Sequence, residues 1–404
     1  MENKLQKLHK KLCSCAVFRG VLEHPLFTQF GGYCFLDEGE DGCAQMDSYA
    51  GFVAEIYRHG GNLTELVQKL VFADENVYIK GVAKGEEVNP HIVTATEREL
   101  NIFSEFAALT AEDFAENMGV SLADIPTFDS FNADMGALYQ KRLREIGKYG
   151  YGIFSSYCMF RMSDDKQIEP IVSADKIDIN DFIGYETERR QVLDNTCAFI
   201  EGRPAANTLL CGDAGTGKSS TVKAMVNHFF KEGLRLIELR KDQLRLLPEV
   251  MGRISGNPLK FIIFIDDLSF NKNNDDFSML KAALEGSASA TADNAVIYAT
   301  SNRRHIIKES FGDRDGDDVH RNDTLQETLS LSERFGLTVL FTKPNKQLYL
   351  QIVKELAARE GLSIEEKELE LKAEEFALRK GSRSARGAEQ FINSLLSAYK
   401  RDCR

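Results

Sequence analysis

The residues Gly212-Asp213-Ala214-Gly215-Thr216-Gly217-Lys218-Ser219 stand in the G-x-x-x-x-G-K-S order of a loop that cradles phosphates. Glycine lets the backbone turn tightly enough for successive amides to face one anion, and the helix that follows adds the positive end of its dipole. The setting agrees, because an apolar run, Asn207 to Cys211, precedes the loop and a helical stretch, Ser219 to Lys231, follows it. In that arrangement Lys218 reaches the outer two phosphates of a nucleoside triphosphate, Ser219 ligates Mg²⁺ and Ser220 counts with the loop as a nucleotide contact.

Further along, Phe261-Ile262-Ile263-Phe264-Ile265-Asp266-Asp267 reads as a buried strand whose carboxyl end presents two acids, the end at which an α/β sheet meets a nucleotide. Asp266 is expected to hold Mg²⁺ through its water shell, and Asp267 to orient or deprotonate an attacking water. Tyr298 to Asn302 ends the next strand, so Asn302 either stands beside the γ-phosphate and that water or simply forms the turn. Leu331-Ser332-Glu333-Arg334-Phe335-Gly336 sets Arg334 between a helix and a strand at the domain edge. There it either reaches a neighbouring subunit's nucleotide or forms a surface ion pair. Gly381-Ser382-Arg383-Ser384-Ala385-Arg386 then opens a helix, with Arg386 the preferred phosphate contact from the same chain and Arg383 its rival.

These groups need a scaffold that gathers them. After about Pro170, short apolar runs at Asn207 to Cys211, Leu234 to Glu238, Phe261 to Ile265, Ala295 to Ala299 and Leu337 to Phe341 alternate with helical segments. That is the rhythm of a parallel sheet covered on both faces. The expected fold class is α/β: a P-loop five-stranded parallel sheet with a C-terminal helical lid and a mainly helical N-terminal domain. Domains are expected at 1–168, 169–344 and 345–404. Three helices are expected from Asn345 onward, the middle one opened by a capping box of Ser363 and Glu366 and closed by Gly381. In the first domain, helical spacing runs through Tyr49 to Arg58, Asn62 to Phe72, Thr96 to Leu109 and Asn132 to Ile146, with start signals at Thr94 to Glu97 and Thr110 to Glu112. The aromatic stretch Tyr149 to Phe160 reads as packed structure leading into a connector, and the domain carries no catalytic constellation.

Taken in order, the P-loop, paired acids, polar strand end, Ser-x-Arg-Phe and late helical arginine resemble the AAA+ ATPases. Asp181-Phe182-Ile183-Gly184-Tyr185-Glu186 also looks like the segment with which that superfamily lines its adenine pocket. The resemblance covers residues 175–402, a little over half the chain. It implies ATP and Mg²⁺ as cofactors, adenine contacts at Ile183 and Gly184, Asn302 as sensor 1, Arg334 as arginine finger, Arg386 as sensor 2, and a homo-oligomer in the ATP state. More closely, Asp266 to Phe270, Tyr298 to His305 and Ser330 to Leu337 are similar to an uncharacterised bacterial family of predicted AAA+ ATPases, which implies an ATPase without naming its client.

Most AAA+ proteins carry Asp-Glu where this chain has Asp266-Asp267. Asp is one methylene shorter, so the catalytic water must sit closer to the strand or turnover is slow. The Asp-Asp-aliphatic-x-Phe form is similar to that of bacterial replication initiators and helicase loaders, which favours a slow assembly switch, or a loader with little intrinsic hydrolysis, over a fast motor. Substrate-threading members carry an aromatic pore loop after the second strand, and here Arg240-Lys241-Asp242-Gln243-Leu244 has no aromatic residue.

Other readings are weaker. A guanine-reading Asn-Lys-x-Asp fails at Asn274, and a small-molecule kinase would have no use for Arg334 or a helical appendix. Fifty Lys and Arg against 62 Asp and Glu leave a charge of −12, which opposes bulk attraction to nucleic acid or anionic lipid. Arg303-Arg304-His305 is the one basic cluster of the core, so nucleic-acid contact stays open but is not favoured over a protein client. The acidic stretch Phe311 to Thr324 reads as a solvated loop, with opening to a client as the alternative; His305 and His320 read as polar loop residues. Cys13, Cys15, Cys34 and Cys43 match no paired C-x-x-C zinc spacing, which leaves free thiols. No apolar run approaches the roughly 20 residues of a membrane helix and Met1 to Leu12 has no signal-peptide core, so a cytoplasmic location is expected.

Overall fold

The computed structural model describes residues 3–36, 42–268, 293–302 and 334–402, together with Leu280 and Leu284. The chain divides into two compact units, Met1–Ser156 and Tyr157–Arg404. No helix among the described residues is long and apolar enough to cross a membrane.

The first unit is helical: α1 (Lys4–Cys13), α2 (Pro25–Phe35), α3 (Gly42–Arg58), α4 (Leu63–Ala73), α5 (Val77–Ala83), α6 (Pro90–Ala107), α7 (Ala111–Met118), α8 (Met135–Arg144) and α9 (Ile146–Tyr149). Short polar side chains start most of them by accepting a first-turn N–H, among them Asn3, Asn62, Asn76 and Asp134. The start expected at Thr94 to Glu97 is corrected: the cap of α6 lies five residues earlier, at Asn89, with Pro90 in the first turn, where a missing N–H does no harm. Thr110 does open α7, but Asp113 rather than Glu112 closes the capping box. The core is a cluster of fully buried rings, including Phe18, Phe30, Phe52, Phe103, Phe106 and Phe114, many meeting edge to face.

The second unit holds a seven-stranded sheet made of β1 (Met159–Met162), β2 (Ile168–Pro170), β3 (Thr208–Gly212), β4 (Leu234–Leu239), β5 (Lys260–Ile265), β6 (Ala295–Ser301) and β7 (Leu337–Phe341). Its order is β2-β1-β4-β5-β6-β3-β7. The five expected strands form its parallel core, with β3 between β6 and β7. The structure adds a hairpin that the sequence reading left in the first domain: β1 pairs parallel with β4, and β2 pairs antiparallel on the outer edge. The boundary between units accordingly falls inside the aromatic stretch, at Ser156, and not after residue 168. Four residues of β1 are too few to show a period from sequence alone.

Helices α10 (Glu186–Ile200), α11 (Lys218–His228) and α12 (Leu247–Ile254) belong to the α/β part, and α13 (Lys346–Arg359), α14 (Glu366–Lys380) and α15 (Ala385–Asp402) form the C-terminal helical layer. Tyr349, Ile352, Val353, Ala373, Ala388 and Phe391 give that layer its own core. Gly381 closes α14 in the left-handed conformation, as expected, but the Ser363–Glu366 box does not form; Glu365 occupies the cap position without a side-chain bond.

Candidate nucleotide site

The phosphate loop follows from one close approach. Gly212 ends β3 at φ +128°, and a Cβ there would lie 2.0 Å from the Phe341 carbonyl oxygen of β7, so no other residue fits. The Asp213 N–H then donates to that same oxygen at 2.9 Å, and Asp213 Oδ2 accepts the Lys343 N–H at 2.9 Å. The loop is thereby tied to β7 before it turns through Gly215 and Gly217, both at positive φ, into the N-terminus of α11. Lys218 is 5% exposed, and its ammonium donates to the carbonyls of Gly212 and Asp213 and to Asn302 Oδ1, at 3.2, 2.7 and 3.1 Å. Burial holds its pKa below the ordinary lysine value, against the pull of Asp213, Asp266 and Asp267.

The two acids leave β5 beside this loop. Asp266 Oδ1 accepts the Ser219 hydroxyl at 2.6 Å and the Thr300 hydroxyl at 2.5 Å. Asp267 adopts a left-handed φ of 52°, which turns the chain sharply at the strand end. Its N–H donates to Thr300 Oγ1 at 2.9 Å, Asn302 Nδ2 donates to its Oδ1 at 2.8 Å, and Lys241 Nζ lies 3.6 Å from its Oδ2. Asn302 thus touches both Lys218 and Asp267. Thr300 and Lys241 were missed as site residues. Thr300 could have been found: it lies two residues before Asn302 on the same strand, and side chains two apart share a face.

A second wall comes from the segment before α10 and from α15. Ile183 is buried, Gly184 and Tyr185 both take left-handed φ, and the Tyr185 hydroxyl donates to the Thr342 carbonyl at 2.8 Å. Ile183, Arg189, Gly215, Gly217, Ser220 and Arg386 line one cleft between this segment, the loop and α15. The Arg386 N–H donates to the Gly215 carbonyl at 3.3 Å. Arg383 points elsewhere, with its guanidinium clamped on Glu374 at 3.0 and 2.6 Å.

Arg334 is partly buried one residue before Phe335, just ahead of β7. Ser330 to Glu333, Ser269-Phe270, Arg303-Arg304-His305, His320 and the loop Phe311 to Thr324 lie outside the described residues. After β4, the segment without a threading aromatic forms a short 3-10 helix, Lys241–Leu246, whose Gln243 side chain donates to the Met162 carbonyl and ties it to β1.

Comparison with solved structures returns Thermotoga maritima RuvB variants. One is 15% identical at a TM-score of 0.38, covering 55% of this chain and 66% of that one; another is 16% identical at 0.39, covering 56% and 67%. The Thermotoga maritima RuvB Holliday junction branch migration motor matches at 14% identity and a TM-score of 0.34, covering 55% and 72%. No curated protein matches the sequence. Residues 155–399, which span the sheet and all but the last turn of the helical layer, match the family described as a protein of unknown function, DUF815, and the chain belongs to that family.

Proposed function

We propose that this chain is an ATP-binding AAA+ protein that hydrolyses ATP slowly to drive assembly or remodelling of an unidentified protein client. The observation that carries this reading is the convergence of Lys218, Ser219, Asp266, Thr300, Asp267 and Asn302 on one glycine-built loop at the carboxyl ends of β3, β5 and β6. A hydroxyl and a carboxylate in contact at the first turn of α11 are hard oxygen donors, which fit Mg²⁺ held by Ser219 and Asp266. When bound, Mg²⁺ with the triphosphate supplies the electrophilic phosphoryl group and offsets its charge. The chain's own residues do the rest. Lys218 keeps a positive charge at the loop mouth, Asp267 takes a proton from water at its carboxylate, and Asn302 fixes the direction of that carboxylate. Ile183 and Gly184 bound the base, Ser220 and Arg386 face the same cleft, and Arg334 acts on the neighbouring subunit's nucleotide in a homo-oligomer.

Two variants separate binding from turnover. Lys218→Ala abolishes ATP binding by calorimetry, while Asp267→Asn binds ATP and releases no phosphate. Wild-type binding that survives Lys218→Ala would overturn the assignment of the site. Light scattering with no nucleotide, ADP and ATP plus Mg²⁺ tests assembly: a mass unchanged across all three removes the role given to Arg334.

A second reading, a switch or loader with little intrinsic hydrolysis, is favoured by one observation: both oxygens of Asp267 have partners, Asn302 and Lys241. Single-turnover phosphate release distinguishes the two, since the switch holds ATP without cleaving it until a client arrives. A protein client is preferred to nucleic acid because the chain carries a charge of −12, and salt-sensitive binding to single- or double-stranded DNA would reverse that preference.

A further inference from the structure

Arg189 belongs to no motif of the site, yet it occupies the cleft. It lies on the first turn of α10, is 7% exposed and lines the same cleft as Gly217, Ser220 and Arg386. Its guanidinium lies 4.1 Å from the centroid of the Phe182 ring, and its Nη1 donates to the Gly184 carbonyl. A methyl group placed at Gly217 would be 3.6 Å from Nη2, so the cation rests against the last glycine of the phosphate loop. Its Nε is buried and has no hydrogen-bond partner. Buried guanidinium groups are ordinarily matched by carboxylates, because desolvating the charge is expensive. Among the described residues none pairs with Arg189; Glu186 and Glu188 act on it only at a distance. Burial pushes its pKa down to about 10, which still leaves it charged at neutral pH.

We propose that the counter-ion of Arg189 is the nucleotide itself, and that Arg189 binds the phosphate nearest the base. This rests on the reading of the cleft as an ATP site. The position assigns the phosphate: the guanidinium bridges the wall of Phe182 and Ile183, where the base lies, and Gly217, where the phosphate chain begins its passage toward Lys218. Lys218 and Arg189 thus hold opposite ends of one polyanion. It also accounts for the orphaned Nε, since a phosphate oxygen supplies the acceptor that the fold does not.

The test measures affinity and stability together. Arg189→Met keeps length and apolar contact with Phe182 but removes the charge. Dissociation constants for ATP, ADP, AMP and adenosine are measured by calorimetry, alongside the thermal midpoint of the nucleotide-free protein. The expected result is a loss of about tenfold or more shared by ATP, ADP and AMP, the size of one charge-assisted contact. Adenosine affinity changes less than threefold, and the free protein's midpoint is unchanged or raised, because an uncompensated buried charge has gone. Arg189→Lys recovers part of the AMP affinity. Equal losses for AMP and adenosine, or a midpoint that falls with the affinity, would show a structural cation and overturn the proposal. Losses for ATP and ADP that spare AMP would overturn the phosphate assigned. Wild-type protein that binds none of the four at millimolar concentration removes the ATP reading itself, a failure visible before any variant is made.

Discussion

Replacing Thr300 with valine keeps the shape of a residue that is 2% exposed and deletes the hydroxyl joining the two acids. That hydroxyl donates to Asp266 Oδ1 at 2.5 Å and accepts the Asp267 N–H at 2.9 Å. A hydrogen bond to a charged acceptor contributes about 1.5–3 kcal/mol and a neutral one about 0.5–1.5 kcal/mol. The full sum does not apply, because the Asp267 N–H keeps a second acceptor in Asp266 Oδ1 at 3.1 Å and Asp266 is only partly buried, so water recovers part of the loss. About 2 kcal/mol remains, which at about 1.4 kcal/mol per decade is roughly 30-fold in a local opening equilibrium. A global melting midpoint is a poor gauge in a chain of two units, whereas amide exchange reads the turn directly. Exchange of the Asp267 and Leu268 amides is therefore expected to accelerate about 30-fold in Thr300→Val and to return to wild-type rates in Thr300→Ser. Acceleration below about threefold would refute the reasoning, since the turn would then be held by the strand ladder alone.

Three other outcomes follow from the same geometry. Arg386→Ala weakens ATP binding about tenfold, one charge-assisted contact, whereas Arg383→Ala leaves it within about twofold, because Arg383 is committed to Glu374; calorimetry on both decides between them. His24 has its pKa lowered by burial, with His59 and Lys69 adding to that effect and Glu55 opposing it, and its Nδ1 must be unprotonated to accept the Leu26 N–H that starts α2. The unfolded chain therefore takes up this proton first, so the first unit loses stability as pH falls below about 6.5, and His24→Asn, which keeps an acceptor but does not titrate, flattens the change in amide exchange along α2. Lys241→Met speeds steady-state phosphate release, within a limit set by the exposure of its partner.

The candidate site of the second unit was legible because its constraints are local. A loop that must turn three times at glycine, and a strand that must end in acids, cannot be written in many ways, and Gly212, Lys218, Asp266 and Asn302 lie where their spacing puts them. What escaped depends on neighbours far along the chain. Arg189 looks like any charged residue of an amphipathic helix until Phe182 and Gly217 are folded against it. Lys241 carries no pattern linking it to Asp267. The hairpin of β1 and β2 was hidden by length, and the Ser363–Glu366 box failed because a matching pair of residue types does not fix the backbone at the cap. The first unit offered least, since buried phenylalanines at helical spacing point to a core and to no particular reaction.

If Asp267 is the proposed base, its short side chain predicts slow turnover, and the geometry around it divides that expectation into parts. The left-handed turn at Asp267 directs its carboxylate to Asn302 at 2.8 Å and Lys241 at 3.6 Å. The Lys241 and Asp267 side chains are 44% and 56% exposed, so their ion pair contributes at most about 1 kcal/mol, while the amide bond from Asn302 sits at the low end for a charged acceptor, about 1.5 kcal/mol. Asn302 holds the carboxylate in its working direction, so only the contact with Lys241 must open, and that accounts for no more than about fivefold. A client that merely pulled Lys241 aside would raise the rate by about that fivefold and no further. An acceleration well above fivefold in Lys241→Met would mean that Lys241 restrains more than this carboxylate. Motor-like rates would instead require a charge brought to the nucleotide from outside the subunit, which is the role that falls to Arg334 if ATP assembles the chain, and a monomer with ATP bound should stay slow whatever happens at Lys241.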